Sequence, residues 1–304
     1  MNTIKQPLSL KKGDSIAIIA PASRVEKDYI EKAVKSLTNL GYIVRLGDNV
    51  FSEYHQFAGT DNQRCEDFQS ALDNKEVKAI FCARGGYGSV RIVDSLDFSE
   101  FRKSPKWIAG FSDITVFHSL LNGKYNIPTI HAPMPVNAKS PFFQENLKQL
   151  DAILKGQRPE IKILYHSLNR LGSCKGQLVG GNLSILCSLQ ATPYEIDTKN
   201  KILFIEDVGE HLYRLDRMLN NLRLSGKLKE LKGLIVGGMT AMEDKKRPFG
   251  KNPYEIVLDA VKDFDYPVAF DYPAGHIDNN VPFVLGEEVT LSVTPENSII
   301  SYTT

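Results

Sequence analysis

The sequence predicts a two-domain α/β protein: an N-terminal domain on a parallel sheet, then a C-terminal mixed α/β domain. Three observations predict it. Short β-branched apolar runs alternate with helical patterns through the first half, the signature of βαβ units and right-handed crossovers. The alternation breaks between Pro133 and Pro141, a stretch with three prolines. The second half mixes strand and helix patterns and closes on a nearly all-β tail, Phe283–Tyr302.

The elements follow in order. Ile16–Ala20, ended by Pro21, reads as a strand buried on both faces. Ile30, Ala33, Val34, Leu37 and Leu40 recur at helical spacing before Gly41, a C-cap residue. Ile43–Leu46 is a second strand, and Thr60 caps a polar helix through Leu72. Ala79–Ala83 runs straight into Arg84-Gly-Gly-Tyr-Gly88. Trp107–Gly110 is a fourth strand with a helix from about Asp113 to Leu121, and Ile127–His131 a fifth. Phe142–Lys155 is an amphipathic helix in the interdomain stretch. Beyond it, Gly180–Leu189 reads as a helix after a Gly-Gly turn, Ile202–Ile205 as a strand and His211–Leu224 as a helix. Leu234–Val236 is a strand and Pro253–Phe264 a helix with proline at its start. In the tail Val289, Leu291 and Val293 alternate, with a turn at 295–297. The expected division is residues 1–135, a linker at 136–170, and 171–304.

Composition narrows the function. A chain of 304 residues that is 42% hydrophobic is an ordinary globular protein, neither disordered nor fibrous. Its 37 basic and 36 acidic residues leave a net charge of +1, so no nucleic-acid footprint and no polybasic membrane arm is present. Met1–Lys12 is polar, and the first apolar run is far shorter than a membrane span. The cytoplasm is therefore the expected compartment. The four cysteines form no C-x-x-C, and Cys82 and Cys187, in apolar runs, read as buried thiols. No H-E-x-x-H or Cys/His cluster occurs, so neither a metal nor another cofactor is expected.

Three places look poised for chemistry. Trp107-Ile-Ala-Gly-Phe-Ser112-Asp puts a serine between a buried strand and a helix N-terminus, where unpaired N–H groups favour a nucleophile and its oxyanion. An N-cap serves equally well for that serine, and Ile114 stands where a G-x-S-x-G elbow has its last glycine. Arg84–Gly88 offers a turn of N–H groups able to hold an anion, or simply a tight strand-to-helix connection. In an open α/β sheet both features fall beyond the strands' carboxyl ends, where ligands bind. The third place is a pair of late polar groups. Glu206-Asp207 ends an apolar strand, and His276 lies in a loop between Gly275 and Asp278. His118 reads as packed inside its helix, His55, His166 and His211 as surface or loop residues, and His131 as a rival base at a strand end.

Together these segments resemble one family. Ala83-Arg-Gly-Gly-Tyr-Gly88, Gly110-Phe-Ser-Asp113, Gly180-Gly-Asn-Leu-Ser184, Phe204-Ile-Glu-Asp-Val208 and Gly275-His276 are similar, in order, to the motifs of the LD-carboxypeptidases. This serine peptidase family includes the murein tetrapeptide carboxypeptidases, and the likeness runs from about Ile16 to Leu291. It implies a Ser–His–Glu triad of Ser112, His276 and Glu206. The serine would lie on a flavodoxin- or Rossmann-like N-terminal sheet, the other two in the C-terminal domain, and the active site at the seam of a homodimer's subunit. It also implies an oxyanion hole from the N–H groups of Gly86 (or Gly85) and Asp113, and a muropeptide substrate cut before its terminal D-Ala. Arg84, Gly85 and Tyr87 become candidate substrate-binding residues, with Arg214 and Arg217 as further partners for the terminal carboxylate. Some family members cleave a peptidyl-nucleotide antibiotic instead, which calls for an aromatic residue to stack on a base; Trp107 reads as core, which favours the cell-wall substrate. A rival of another class is a non-catalytic anion-binding module on the same sheet.

Overall fold

The computed structural model describes residues 4–303; the outermost residues of the polar N-terminal stretch and of the two expected domains lie outside it. The first half builds β1 (Ser15–Ile19), α1 (Lys27–Asn39), β2 (Ile43–Leu46), α2 (Asp61–Asp73), β3 (Val77–Cys82), α3 (Ser89–Ile92), α4 (Ser99–Lys103), β4 (Trp107–Gly110), α5 (Thr115–Leu120), β5 (Thr129–His131) and α6 (Phe143–Leu154). The second builds β6 (Ile161–Leu164), β7 (Gly172–Asn182), α7 (Leu183–Ser188), β8 (Ile202–Val208), α8 (Leu212–Leu224), β9 (Gly233–Thr240), α9 (Pro253–Ala260) and β10 (Val268–Ala269). The tail adds β11 (Phe283–Leu285), β12 (Glu288–Val293) and β13 (Asn297–Tyr302).

The chain divides into two compact units, Met1–Gln157 with Asp278–Val284, and Arg158–Ile277 with Leu285–Thr304. Where the sequence placed a linker, at 136–170, the chain forms α6 of the first unit and β6 of the second. The first unit's sheet runs β11-β5-β4-β3-β1-β2, and its β2-β1-β3-β4-β5 portion pairs parallel throughout. That is the doubly wound order whose ligands bind at the strands' carboxyl ends. Burial on both faces explains the unbroken apolar runs: every residue of β1 and β4 is buried. α1 covers the sheet with Ile30, Ala33 and Leu37, each larger side chain contributing roughly 1.5–3 kcal/mol on burial.

The second unit's sheet runs β10-β9-β8-β7-β12-β13-β6. Strands β10, β9, β8 and β7 are parallel, whereas β7, β12, β13 and β6 pair antiparallel. β7 is long enough to serve both halves, pairing β12 through Gly172–Gln177 and β8 through Leu178–Asn182. Gly180 and Gly181 therefore end a strand rather than form a turn, and the helix after them starts only at Leu183. The core packs Leu215, Leu219 and Leu222 of α8 against Leu203 and Ile205 of β8 and Val236 of β9. Among the described residues no helix is long and apolar enough to cross a membrane.

Candidate active site

In the first unit the serine stands at the carboxyl end of β4. Phe111 leaves the strand extended, with φ −151°. Ser112 then turns to φ +63°, opening a 3-10 turn, Ser112–Ile114, that leads into α5. An N-cap residue holds β-region angles, so this is not a simple cap. Left-handed φ is uncommon outside glycine and costs of order 1–3 kcal/mol, a cost that collects at functional positions. The Gly-Gly turn after β3 lies against it. A Cβ on Gly85 would come 2.8 Å from Ser112 Cβ, 3.0 Å from its Oγ and 3.2 Å from the Asp113 nitrogen. Only a residue without a side chain lets backbone and hydroxyl approach so closely.

Asp113 turns its buried carboxylate inward to accept the Ser89 N–H at 2.7 Å. Burial raises its pKa, against the lowering by hydrogen bonds from Ser89 and Gly88. The structure thus brings Ser112, Asp113 and Gly85 together, with Gly86 adjoining. Arg84 spends its Nη1 on the Arg24 carbonyl, 3.0 Å away. Tyr87 is 45% exposed, with its ring centroid 6.0 Å from that of Phe57.

In the second unit a carboxylate and an imidazole meet. Register places Asn182 of β7 beside Glu206 of β8. On its other side β9 is bulged: pairing passes from Ile205↔Val236 to Asp207↔Met239, re-aiming the strand as bulges near active sites do. The bulge holds the histidine loop, because Gly238 N–H donates to the Ala274 carbonyl at 3.0 Å. Gly275 follows at φ +113°, where a Cβ would come 2.7 Å from Glu206 Oε2. His276 is then gripped at three points. Its N–H donates to Glu206 Oε2 at 3.2 Å, its Nδ1 lies 2.7 Å from the same oxygen, and its carbonyl accepts the Thr240 hydroxyl at 2.9 Å.

Glu206 is fully buried while the His276 side chain keeps 23% of its exposure. A carboxylate on Nδ1 fixes the proton there and leaves Nε2 as the base. Burial lowers the His276 pKa, but the Glu206 hydrogen bond and charge outweigh it and leave it raised. Neighbouring Asp207 is pushed up to about 6, chiefly by burial. Asn182 ties the two acids together, donating from Nδ2 to Glu206 Oε1 at 3.2 Å and to Asp207 Oδ1 at 3.0 Å.

The other histidines do not match this. His118 is buried with Nε2 3.0 Å from the Gly110 carbonyl, and burial lowers its pKa to about 4. His131, the rival base, is buried against Asn280 at 3.0 Å and stacked on Phe283. His211 lies 3.7 Å from Glu243, beyond hydrogen-bond reach. Arg214 Nε donates to Tyr213 at 3.3 Å, and Arg217 lies over the same ring. Sequence reasoning assigned no role to Asn182, although it quoted the Gly-Gly-Asn-Leu-Ser segment, and passed over Arg64, whose buried guanidinium no local pattern signals.

Residues 16–132 match the LD-carboxypeptidase N-terminal domain and 175–291 the LD-carboxypeptidase C-terminal domain. A probable murein peptide carboxypeptidase of Bacillus subtilis is 33% identical, with 97% of this chain and 94% of that protein covered. The crystal structure of muramoyltetrapeptide carboxypeptidase from Oxalobacter formigenes superposes with a TM-score of 0.86 at 30% identity, covering 95% and 99% of the two chains. The microcin C7 self immunity protein MccF, in complex with aspartyl sulfamoyl adenosine, shares the fold at a TM-score of 0.86 and 20% identity, with 97% and 98% covered.

Proposed function

The chain belongs to the LD-carboxypeptidase family, and from that premise we propose that it removes terminal D-alanine from peptidoglycan-derived tetrapeptides with a Ser112–His276–Glu206 triad. It is a serine-type carboxypeptidase, a hydrolase. Ser112 Oγ attacks the carbonyl of the third, L-configured residue while His276 Nε2 takes its proton. The Gly86 and Asp113 N–H groups receive the oxyanion. Collapse expels the D-alanine amine, protonated by His276, and water repeats the sequence to free the acyl group.

The observation that carries this reading is the 2.7 Å contact between His276 Nδ1 and the buried Glu206 carboxylate. It supplies the oriented base that a serine hydroxyl needs. The left-handed turn at Ser112, with Gly85 at its side, supports the nucleophile's role. The murein substrate is supported by the relatives at 30% identity or above, a probable murein peptide carboxypeptidase and a muramoyltetrapeptide carboxypeptidase. Trp107 is buried in β4, so no tryptophan serves as a stacking platform for a nucleobase, which favours the cell-wall peptide over a peptidyl nucleotide.

Ser112→Ala is expected to lower tetrapeptide hydrolysis by at least about 10³-fold. Mass spectrometry of tetrapeptides ending in D- or L-alanine should show loss of one alanyl residue from the D form alone. Turnover unchanged in the variant would overturn the triad, whereas no turnover by either protein would favour the rival, a non-catalytic anion-binding module.

A further inference from the structure

Arg64 is an arginine buried to 1% exposure in the first turn of α2, and the reaction outlined above gives it no task. Its Nη1 donates to the Pro21 carbonyl at 2.6 Å, in the loop after β1, and to the Gly88 carbonyl at 3.0 Å, in the loop after β3. Its Nη2 pairs with Asp61, which is held in turn by Arg91 at 2.6 Å. A Cβ on Gly88 would come 2.5 Å from Arg64 Nη1, so the chain yields space for the guanidinium at that point. On the far side of the same residues, the Asp113 carboxylate takes the Ser89 N–H at 2.7 Å, drawn also by the Arg64 charge.

The Gly-Gly turn is thereby pinned at both ends. Arg64 and Asp113 hold its end at Gly88–Ser89. At its start the Gly85 carbonyl accepts the Ser23 N–H at 3.1 Å, and Ser23 Oγ accepts the Tyr87 N–H at 3.2 Å. In a trans peptide C=O and N–H point in opposite directions. Fixing the Gly85 carbonyl on Ser23 therefore fixes the Gly86 N–H on the opposite side. The other proposed oxyanion donor, the Asp113 N–H, belongs to the residue whose side chain closes the clamp.

We infer that Arg64 and the Asp113 carboxylate form a buried clamp that sets the two oxyanion-hole N–H groups, those of Gly86 and Asp113, in register about Ser112. This inference rests on the proposed serine chemistry. Both are positioning residues here: the guanidinium fork spans two carbonyls and a carboxylate at once, which a lysine's point charge does not. A clamp of this kind acts on the charge developing in the transition state and leaves ground-state binding alone.

The test measures kcat and KM on a murein tetrapeptide for Arg64→Lys and Asp113→Asn, together with the affinities of a peptidyl boronate, which adds to the serine as a transition-state mimic, and of the tripeptide product. Expected is a kcat about 10²-fold lower or more, boronate affinity weakened by a similar factor, and KM and product affinity within about threefold. Ser23→Ala, which removes only the hydroxyl at Tyr87, gives a folded variant with the same pattern at about tenfold. Wild-type kcat in the clamp variants beside an inactive Ser112→Ala would overturn the clamp alone, as would equal losses of boronate and product affinity. An active Ser112→Ala would overturn the serine chemistry beneath it.

Discussion

The serine half and the histidine half of the proposed site are built by different physical means. Around Ser112 the working parts are backbone: a left-handed turn, a glycine pressed against the hydroxyl, and N–H groups whose direction is set by peptide planes. Around His276 they are side-chain charges: a buried carboxylate, a second acid beside it and an amide bridging the two. The difference teaches which perturbation each half should feel. The first half should be sensitive to added atoms and indifferent to moderate pH, whereas the second should tolerate isosteric change sterically and respond through protonation.

The largest expected effect tests the charged half. Glu206→Gln keeps the shape but removes the carboxylate that fixes the imidazole tautomer, and kcat should fall by about 10³–10⁴-fold. The pH profile gives the sharper reading. With the His276 pKa raised above its ordinary 6.5, wild-type kcat/KM should climb through an inflection above that value, because the base works neutral. In Glu206→Gln burial still lowers the pKa and only the Asp207 charge is left to raise it, so the inflection should move down from its wild-type position. Linkage has the matching sign: the pair's contribution to stability is complete below 6.5 and is lost as pH rises through the raised folded value. A variant whose inflection stays put would show that Glu206 does not set the base.

The backbone half is tested by Gly85→Ala. The new methyl meets Ser112 Cβ at 2.8 Å and the Asp113 nitrogen at 3.2 Å, and both are main-chain-anchored atoms that cannot swing aside. An expected loss of about 10²–10³-fold in kcat, as for removal of an oxyanion donor, should come with an unshifted pH inflection. An altered inflection with intact kcat at the plateau would reverse the assignment of roles between the halves.

The same contrast governs what the sequence made legible. The parallel sheet could be read because strands buried on both faces are unbroken apolar runs, as in Ser15–Ile19 and Trp107–Gly110. β7 could not: Gly172–Asn182 holds only Leu178 and Val179 as a β-forming apolar pair, and its pairing with β8 and β12 is supplied by distant residues. At Ser112 the local sequence fits a cap as well as a nucleophile, and the positive φ that separates them is imposed by packing. Glu206 and His276 stood out in their own segments, but their pairing was reachable only through resemblance to a family, since no local rule links a strand-ending acid to a loop histidine 70 positions later. Asn182 and Arg64 act through hydrogen bonds to residues remote in sequence, which periodicity and composition do not encode.

The smallest effect asks whether helix capping reaches the chemistry. The helices α2 and α9 each begin with a full capping box: in α2 Thr60 and Gln63 exchange bonds at 3.3 and 2.9 Å, and in α9 Asn252 and Glu255 do so at 2.9 and 2.8 Å. Thr60→Ala and Asn252→Ala should each cost about 1 kcal/mol of stability, read as similar shifts in denaturant midpoint. Their kinetics should part, because the first turn of α2 carries Arg64 and that of α9 carries no residue of the proposed site. A few-fold fall in kcat for Thr60→Ala, against none for Asn252→Ala at equal loss of stability, would tie the cap to the serine turn through the guanidinium. Identical kcat values would confine the cap's effect to helix stability and leave the clamp to hold the loop without it.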